Sequence, residues 1–322
     1  MNKLVTLAIS TLLSCSILTA ANAQDLTKIN GAGATFPYPI YAKWASIFNK
    51  QSNQFRINYQ SIGSGGGIRQ FTQQTVDFGA SDAPMTDKEM QKIDKDIYHI
   101  PTVLGAVAVA YNLDLDGNLK LDGKTLANIF MGKIQKWNHP SLKKLNPDLN
   151  LPDRNIMAVR RADGSGTTDV FSDYLSKVSP QWKKKIGRGK ALSWPDQVYG
   201  AKGNEGVTGM LKQAKGTIGY IELAYAKKSN LPTVALKNKS GNFVKPSIQA
   251  ISSSAAGLKD EKYRGDLRLS ITNAGGEKTY PISAFTYILI PQKTENKQDK
   301  GVRKFLLWAL NEGQKYTEAL HY

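Results

Sequence analysis

The sequence predicts an α/β protein of two lobes joined by two connecting strands. Strand-like and helix-like runs alternate along most of the chain, punctuated by 28 glycines. Two long apolar runs, near 102–111 and 284–290, flank a middle block, as strands carrying the chain between lobes would do. The length of 322 residues fits two domains. Lobe I is placed at 24–107 plus 284–322, and lobe II at 108–283.

The first 23 residues read as a signal peptide. Lys3 supplies the positive end, 4–19 is apolar to small, and Ala21-Asn22-Ala23 fits an A-x-A cleavage site. A membrane anchor is one alternative, but the stretch is short and contains Ser and Thr. A lipoprotein built on Leu12-Leu13-Ser14-Cys15 is another. The mature chain, from Gln24, is expected to be exported and soluble. Cys15 is the only cysteine, which leaves the mature chain no disulfide, thiolate nucleophile or cysteine metal site.

Ile40, Trp44, Ile47 and Phe48 share one helical face, predicting a helix over 37–49. Phe55, Ile57 and Tyr59 alternate as in a strand. A helix over 66–74, a strand over 76–80 and a short helix from Asp87 behind a Thr86 cap follow. Thr102 opens a buried strand that runs to Tyr111. Helices are expected at 124–131, 166–175 and 204–213, and strands at 156–160 and 217–222. Residues 233–280 show no clear period. A strand at 284–290 and a helix carrying Val302, Phe305, Leu306, Ala309 and Leu310 complete the reading.

Three loops in this order are written to hold a small oxyanion: GAGATFPYP (31–39), SIGSGGGIRQ (61–70) and RRADGSGTTDVF (160–171). In each, Gly admits close backbone approach, Ser or Thr adds a hydroxyl, and the helix that follows presents unpaired N–H groups and a positive dipole end. Thr35 and Phe36 precede a Pro-rich helix start, where N-capping is the commoner use of Thr. Ser64 precedes three glycines, which serve ligand contact or a flexible turn. Ser165, Gly166 and Thr167 form a third nest. Arg161 offers a planar fork suited to a tetrahedral oxyanion, and Asp163 either steadies that fork or makes a turn with Gly164. In a strand, Arg160 points the other way.

Asp82, in GASDAP (79–84), is the discriminating residue. A carboxylate beside an anion makes sense if that anion carries a proton for it to accept. A fully ionised oxyanion such as sulfate would leave two acceptors facing each other. The alternative for Asp82 is a cap or turn before Ala83-Pro84.

Equipment for hydrolysis is missing. GNLKLDGKT (117–125) has five residues between its glycines where a P-loop has four. His99, His139 and His321 are isolated, with no metal-ligand spacing. No catalytic residue, metal or cofactor is expected. The net charge of +17 comes from scattered Lys, such as Lys183-Lys184-Lys185 and Lys227-Lys228, read mostly as a solvated face. No aromatic-basic platform for nucleic acid appears.

These loops closely resemble those of the periplasmic phosphate-binding proteins that serve bacterial high-affinity phosphate ABC transporters. GAGATFP, the Ser-Gly-Gly loop, VDFGASDAP (76–84), LDGKTL (121–126), GKIQKW (132–137), RRADGSGT (160–167) and GTIGYIE (216–222) carry the resemblance, which covers nearly the whole mature chain. It implies a two-lobe periplasmic-binding-protein fold with two hinge strands. It implies one hydrogen phosphate held by Thr35, Phe36, Ser64, Asp82, Arg161, Ser165, Gly166 and Thr167, with Asp163 tethering Arg161. A monomer in the periplasm, delivering phosphate to an inner-membrane permease complex, follows from the same resemblance. The alternatives are a receptor for sulfate, molybdate or arsenate, a phosphatase of the same lineage, and a surface adhesin. The chain departs from the family in three ways. Gly65 stands where many relatives have a second Ser, the chain stops at Tyr322 where relatives usually continue, and its charge is more basic than the family requires. The early stop bears on packing and stability of the terminal lobe more than on ligand chemistry.

Overall fold

The computed structural model describes residues 26–256, 258 and 267–322. The expected signal peptide, with Cys15, lies outside the described residues. The described strands are β1 (Thr27–Gly33), β2 (Phe55–Ser61), β3 (Phe78–Ser81), β4 (Ile97–Tyr111), β5 (Lys120–Leu121), β6 (Met157–Arg161), β7 (Tyr199–Ala201), β8 (Thr217–Glu222), β9 (Ala235–Lys237), β10 (Phe243–Val244) and β11 (Ser283–Pro291). The helices are α1 (Tyr38–Gln51), α2 (Ser64–Thr72), α3 (Asp87–Met90), α4 (Gly123–Phe130), α5 (Pro140–Leu145), α6 (Gly166–Val178), α7 (Pro180–Lys185), α8 (Gly203–Gln213), α9 (Leu223–Lys228), α10 (Ile248–Ala255) and α11 (Lys297–Asn311). The α/β class and the alternation of elements are as the sequence predicts.

Eight strands form one sheet in the order β2-β1-β3-β11-β4-β8-β6-β7. Its two ends are parallel: β1 pairs with β2 and β3, and β6 pairs with β7 and β8. The middle is antiparallel, and β4 holds it together. Up to Ala106 this strand pairs with β11, and from Val107 to Tyr111 it pairs with β8. The returning chain lies beside the changeover, where Val107 N donates to Ile282 O (2.8 Å) and the Tyr280 hydroxyl donates to Val107 O (3.1 Å). Both apolar runs singled out in the sequence therefore lie side by side where the two halves of the sheet join.

Small residues make that crossing possible. Gly105, Ala106, Ala108 and Ala110 leave room for neighbours against β4, and a Cβ at Gly105 would stand 2.4 Å from the Phe36 ring. Helices cover both halves. Trp44, Trp137 and Trp182 are fully buried, and each indole N–H reaches a backbone carbonyl, of Gly313 (2.7 Å), Gly216 (3.0 Å) and Gly187 (2.8 Å). Among the described residues, no helix is long and apolar enough to cross a membrane.

Several boundaries differ from expectation. α2 begins at Ser64, ahead of the predicted 66, because Gly63 at φ +86° makes the turn and the glycines beyond it are helical. β1 has no alternating apolar pattern and is held by parallel neighbours on both sides. The unclear segment 233–280 contains β9, β10 and α10. The end of the chain is packed: Tyr322 is buried, and its hydroxyl donates to Phe36 O at 2.6 Å.

Gly67 is where α2 meets β1, and a Cβ there would lie 2.4 Å from Gly33 Cα and 2.6 Å from Ala32 O. Gly67→Ala is expected to destabilise by about 2–3 kcal/mol, since the clash is with backbone. Gly209, inside α8, would meet nothing within 4 Å. Gly209→Ala is expected to stabilise by about 0.5–1 kcal/mol. Denaturant unfolding of the two variants should give shifts of opposite sign.

Candidate functional site

Parallel strands deliver their C-terminal ends, and the loops after them, to one place. β1 ends at Gly33 and leads through Thr35 and Phe36 into α1. β2 ends at Ser61 and turns at Gly63 into α2, with Ser64 first. β3 ends at Ser81, followed by Asp82. In the other half, β6 ends in Arg161 and leads through Asp163 and Ser165 to Gly166 and Thr167 at the start of α6. β7 ends at Ala201, and Gly203 and Asn204 open α8. In-register pairing levels these ends, with Gly33 opposite Ser61 and Ala80, and Arg161 opposite Ala201.

The two sides meet. Gly65 N donates to Gly164 O (2.8 Å), Ser61 Oγ to Glu205 (3.2 Å) and Asn204 Nδ2 to Thr35 Oγ1 (2.7 Å). A Cβ at Gly166 would stand 2.5 Å from Ser64 Oγ and 2.8 Å from Asp82 Cβ, so glycine is what lets α6 approach. Salt bridges close the rim, from Lys190 to Glu89 (2.8 Å) and from Arg268 to Asp87 (2.7 Å).

Asp82 is buried and lies among groups from three sources. Its Oδ1 accepts from Thr286 Oγ1 on β11 (3.1 Å), its Oδ2 from Thr167 Oγ1 (3.3 Å), and its N–H donates to Ser64 Oγ (3.3 Å). Burial raises the Asp82 carboxyl to about 7, against the opposing pull of Arg161, Thr286 and Thr167.

Arg161 has a side chain 1% exposed and is clamped by Asp163, with Nε on Oδ1 at 2.8 Å and Nη2 on Oδ2 at 2.5 Å. Its Nη1 donates to Thr167 Oγ1 (3.3 Å), and its backbone N–H donates to the Tyr220 hydroxyl (3.1 Å). Burial alone would raise the Asp163 carboxyl; bonds and charge from Arg161, with the Gly203 N–H, outweigh it and hold it below its usual value. The Arg160 guanidinium instead lies over Gly200 and donates to Arg161 O (3.1 Å).

Donors without protein acceptors complete the arrangement. Among the described residues, the backbone N–H groups of Thr35, Phe36, Ser64, Gly166 and Thr167 donate to no protein group, although all five residues are buried. Ser165 Oγ accepts from Thr168 N (3.1 Å) as the cap of α6, leaving its hydroxyl proton for another acceptor. α1 has no side-chain cap, so Thr35 does not serve as one.

Every site residue expected from the sequence is therefore in this cluster: Thr35, Phe36, Ser64, Asp82, Arg161, Asp163, Ser165, Gly166 and Thr167. Sequence reasoning missed Asn204 and Thr286. Asn204 follows a glycine at a helix start, the same signal that marks Ser64, but without a glycine run. Thr286 looks like an ordinary residue of a buried strand. The described residues hold no group of three or more His, Cys, Asp or Glu placed to bind a metal.

The pattern of the PBP superfamily domain matches residues 18–312. The phosphate-binding protein PstS of Haemophilus influenzae is 45% identical over 313 residues, which span 96% of this chain and 91% of that protein. Among solved structures, a high-affinity periplasmic phosphate-binding protein, PfluDING, with phosphate bound, is similar in fold at TM-score 0.73 and 20% identity, over 92% of this chain and 90% of that one. An ABC-type phosphate transport receptor from Vibrio cholerae has TM-score 0.62 and 17% identity, over 91% and 98%. The fold, the whole-length sequence match and the paired strand ends agree: the chain belongs to the PBP superfamily and, within it, to the family of PstS phosphate-binding proteins.

Proposed function

We propose that this chain is a receptor and not an enzyme. It takes one hydrogen phosphate ion between its two lobes and delivers it to the permease complex of an ABC transporter in the inner membrane. Thr35, Phe36, Ser64, Asp82, Arg161, Ser165, Gly166 and Thr167 hold the ion, and Asp163 steadies Arg161. The lobes are 24–107 with 284–322, and 108–283; the change of partner on β4 at Val107 supports that division. The protein works in the periplasm as a monomer. Lys183, Lys184, Lys185, Lys227 and Lys228 are exposed and form a solvated face, and no nucleic-acid partner is proposed because the sequence has no aromatic-basic platform.

One observation carries the reading. Backbone donors from both sides, none taken by protein, converge with one buried guanidinium and one buried carboxylate. Five N–H groups, hydroxyl protons and the Arg161 fork suit a small anion with many acceptor positions. Asp82 suits its single proton. Sulfate in the same place would set an acceptor against the carboxylate, at a cost of a few kcal/mol. The names of the relatives, as phosphate-binding proteins, point the same way.

Calorimetric titration of the ligand-free protein with phosphate and then sulfate is the test. One-to-one phosphate binding is expected at slightly alkaline pH, with sulfate weaker by roughly 100- to 1,000-fold. Asp82 gains a proton as pH falls through about 7, and the neutral carboxyl can donate. Sulfate binding should therefore strengthen on acidification, and the Asp82→Asn variant should bind sulfate without that dependence. A folded protein that ignores phosphate would overturn the reading.

The same carboxyl predicts a stability trend without ligand. Folded Asp82 holds its proton up to about 7, whereas the unfolded chain loses it near its ordinary value of about 4. Between those values the folded state binds the extra proton, so Asp82 makes stability fall as pH rises through that window and then level off. Its share is on the order of a few kcal/mol. Thermal midpoints across the window should fall less steeply in Asp82→Asn than in the unaltered protein.

A further inference from the structure

We propose that Asn204 is a positioning residue that fixes the Thr35 hydroxyl as a donor and so steers the proton of the bound anion to Asp82. The inference rests on the phosphate reading above and deepens it. Asn204 is fully buried at the start of α8, across the cleft from Thr35. Its Oδ1 accepts from Glu222 N (2.9 Å), which settles the orientation of the amide: the oxygen faces that N–H, and Nδ2 must face the cleft. Nδ2 then donates to Thr35 Oγ1 at 2.7 Å, and the Asn204 backbone N–H donates to the same oxygen at 3.1 Å.

A hydroxyl has two acceptor positions and one proton. Asn204 occupies both acceptor positions of Thr35. Among the described residues, nothing accepts the Thr35 proton, although Thr35 is only 2% exposed. Thr35 can therefore offer a proton to an anion oxygen but cannot receive one. Thr167 is different: its hydroxyl accepts from Arg161 and Asn204 and already donates to Asp82. Ser64 and Ser165 each already accept one bond, from Asp82 N and Thr168 N, and the Asp163 carboxylate is given over to Arg161 and Gly203. Asp82 is the charged acceptor of the cluster not engaged by Arg161, so an anion with one P–OH is oriented with that group towards Asp82. Asn204 touches no reacting atom in this account; it acts through Thr35.

A double-mutant cycle tests this with inorganic phosphate as the probe. Phosphate affinity would be measured by calorimetry for the unaltered protein, Asn204→Ala, Thr35→Ala and the double variant, with thermal unfolding of each ligand-free form. If Asn204 acts through Thr35, each single change should weaken binding by about 10- to 100-fold, the range for a hydrogen bond to a charged group. The double variant should then be no more than about threefold weaker than the worse single one. Costs that multiply overturn the inference while leaving the receptor reading intact. Failure of the unaltered protein to bind phosphate overturns both. Asn204→Asp, which keeps the acceptor for Glu222 N, gives a second cycle should Asn204→Ala not fold. The carboxylate would draw the Thr35 proton to itself, so in that background Thr35→Ala should cost phosphate affinity little, and a full cost there overturns the inference too.

Discussion

A buried guanidinium with one dedicated counterion is the constraint around which the site is arranged. Arg161 leaves solvent almost completely, and an unpaired cation there would cost several kcal/mol. Asp163 offsets that cost through two contacts, and the clamp then dictates its surroundings. The Gly203 N–H donates to Asp163 Oδ1 at 2.9 Å, and a Cβ at Gly63 would lie 2.3 Å from Oδ2. Both glycines adopt positive φ, +72° and +86°, so the chain bends around the carboxylate from both lobes. Gly63, which lies in one of the loops marked in sequence, and Gly203, which does not, are thus explained by one ion pair.

The clamp has an electrostatic consequence. With Arg161 matched by Asp163, the site has little formal positive charge left, and Asp82 adds negative charge once ionised. Attraction for an anion must then come largely from oriented dipoles: the N–H groups of Thr35, Phe36, Ser64, Gly166 and Thr167, three of them at the starts of α2 and α6. Such donors have little freedom to move, because they sit in short turns and helix starts directly after strand ends locked in register. On the proposed reading they discriminate by geometry, and Asp82 discriminates by proton count. A cluster of flexible lysines would bind any small anion of similar charge.

Most of this was legible in the sequence where backbone must approach backbone. Close approach demands glycine, and the three glycines after Ser64 and the pair Gly164 and Gly166 stand out in the sequence. The crossing strands were legible for a similar reason: burial on both faces gives β4 and β11 nearly continuous apolar runs. Single polar residues without such a signature were not. Asn204 and Thr286 act through partners brought from 169 and 204 positions away, and nothing local announces those partners. β1 escaped because Gly31, Ala32 and Gly33 lack the side chains that make a strand pattern. The two-residue β5 and β10 are too short for any period, and they exist because β9 lies between them.

The basic surface and the nearly neutral site have separate roles. The net charge of +17 is spread over exposed Lys, and at physiological salt a charge is screened over about 8 Å. Lys183, Lys184 and Lys185 lie on α7, away from the strand ends that build the cleft, so they add little to the energy of a bound ion. They can still raise the local concentration of anions and speed encounter, an effect that weakens with salt. That effect is common to phosphate and sulfate and gives no selectivity between them. On the proposed reading, selectivity lies in Asp82 and in the groups that decide which neighbours can donate to the ion, while the surface influences only how often an ion arrives.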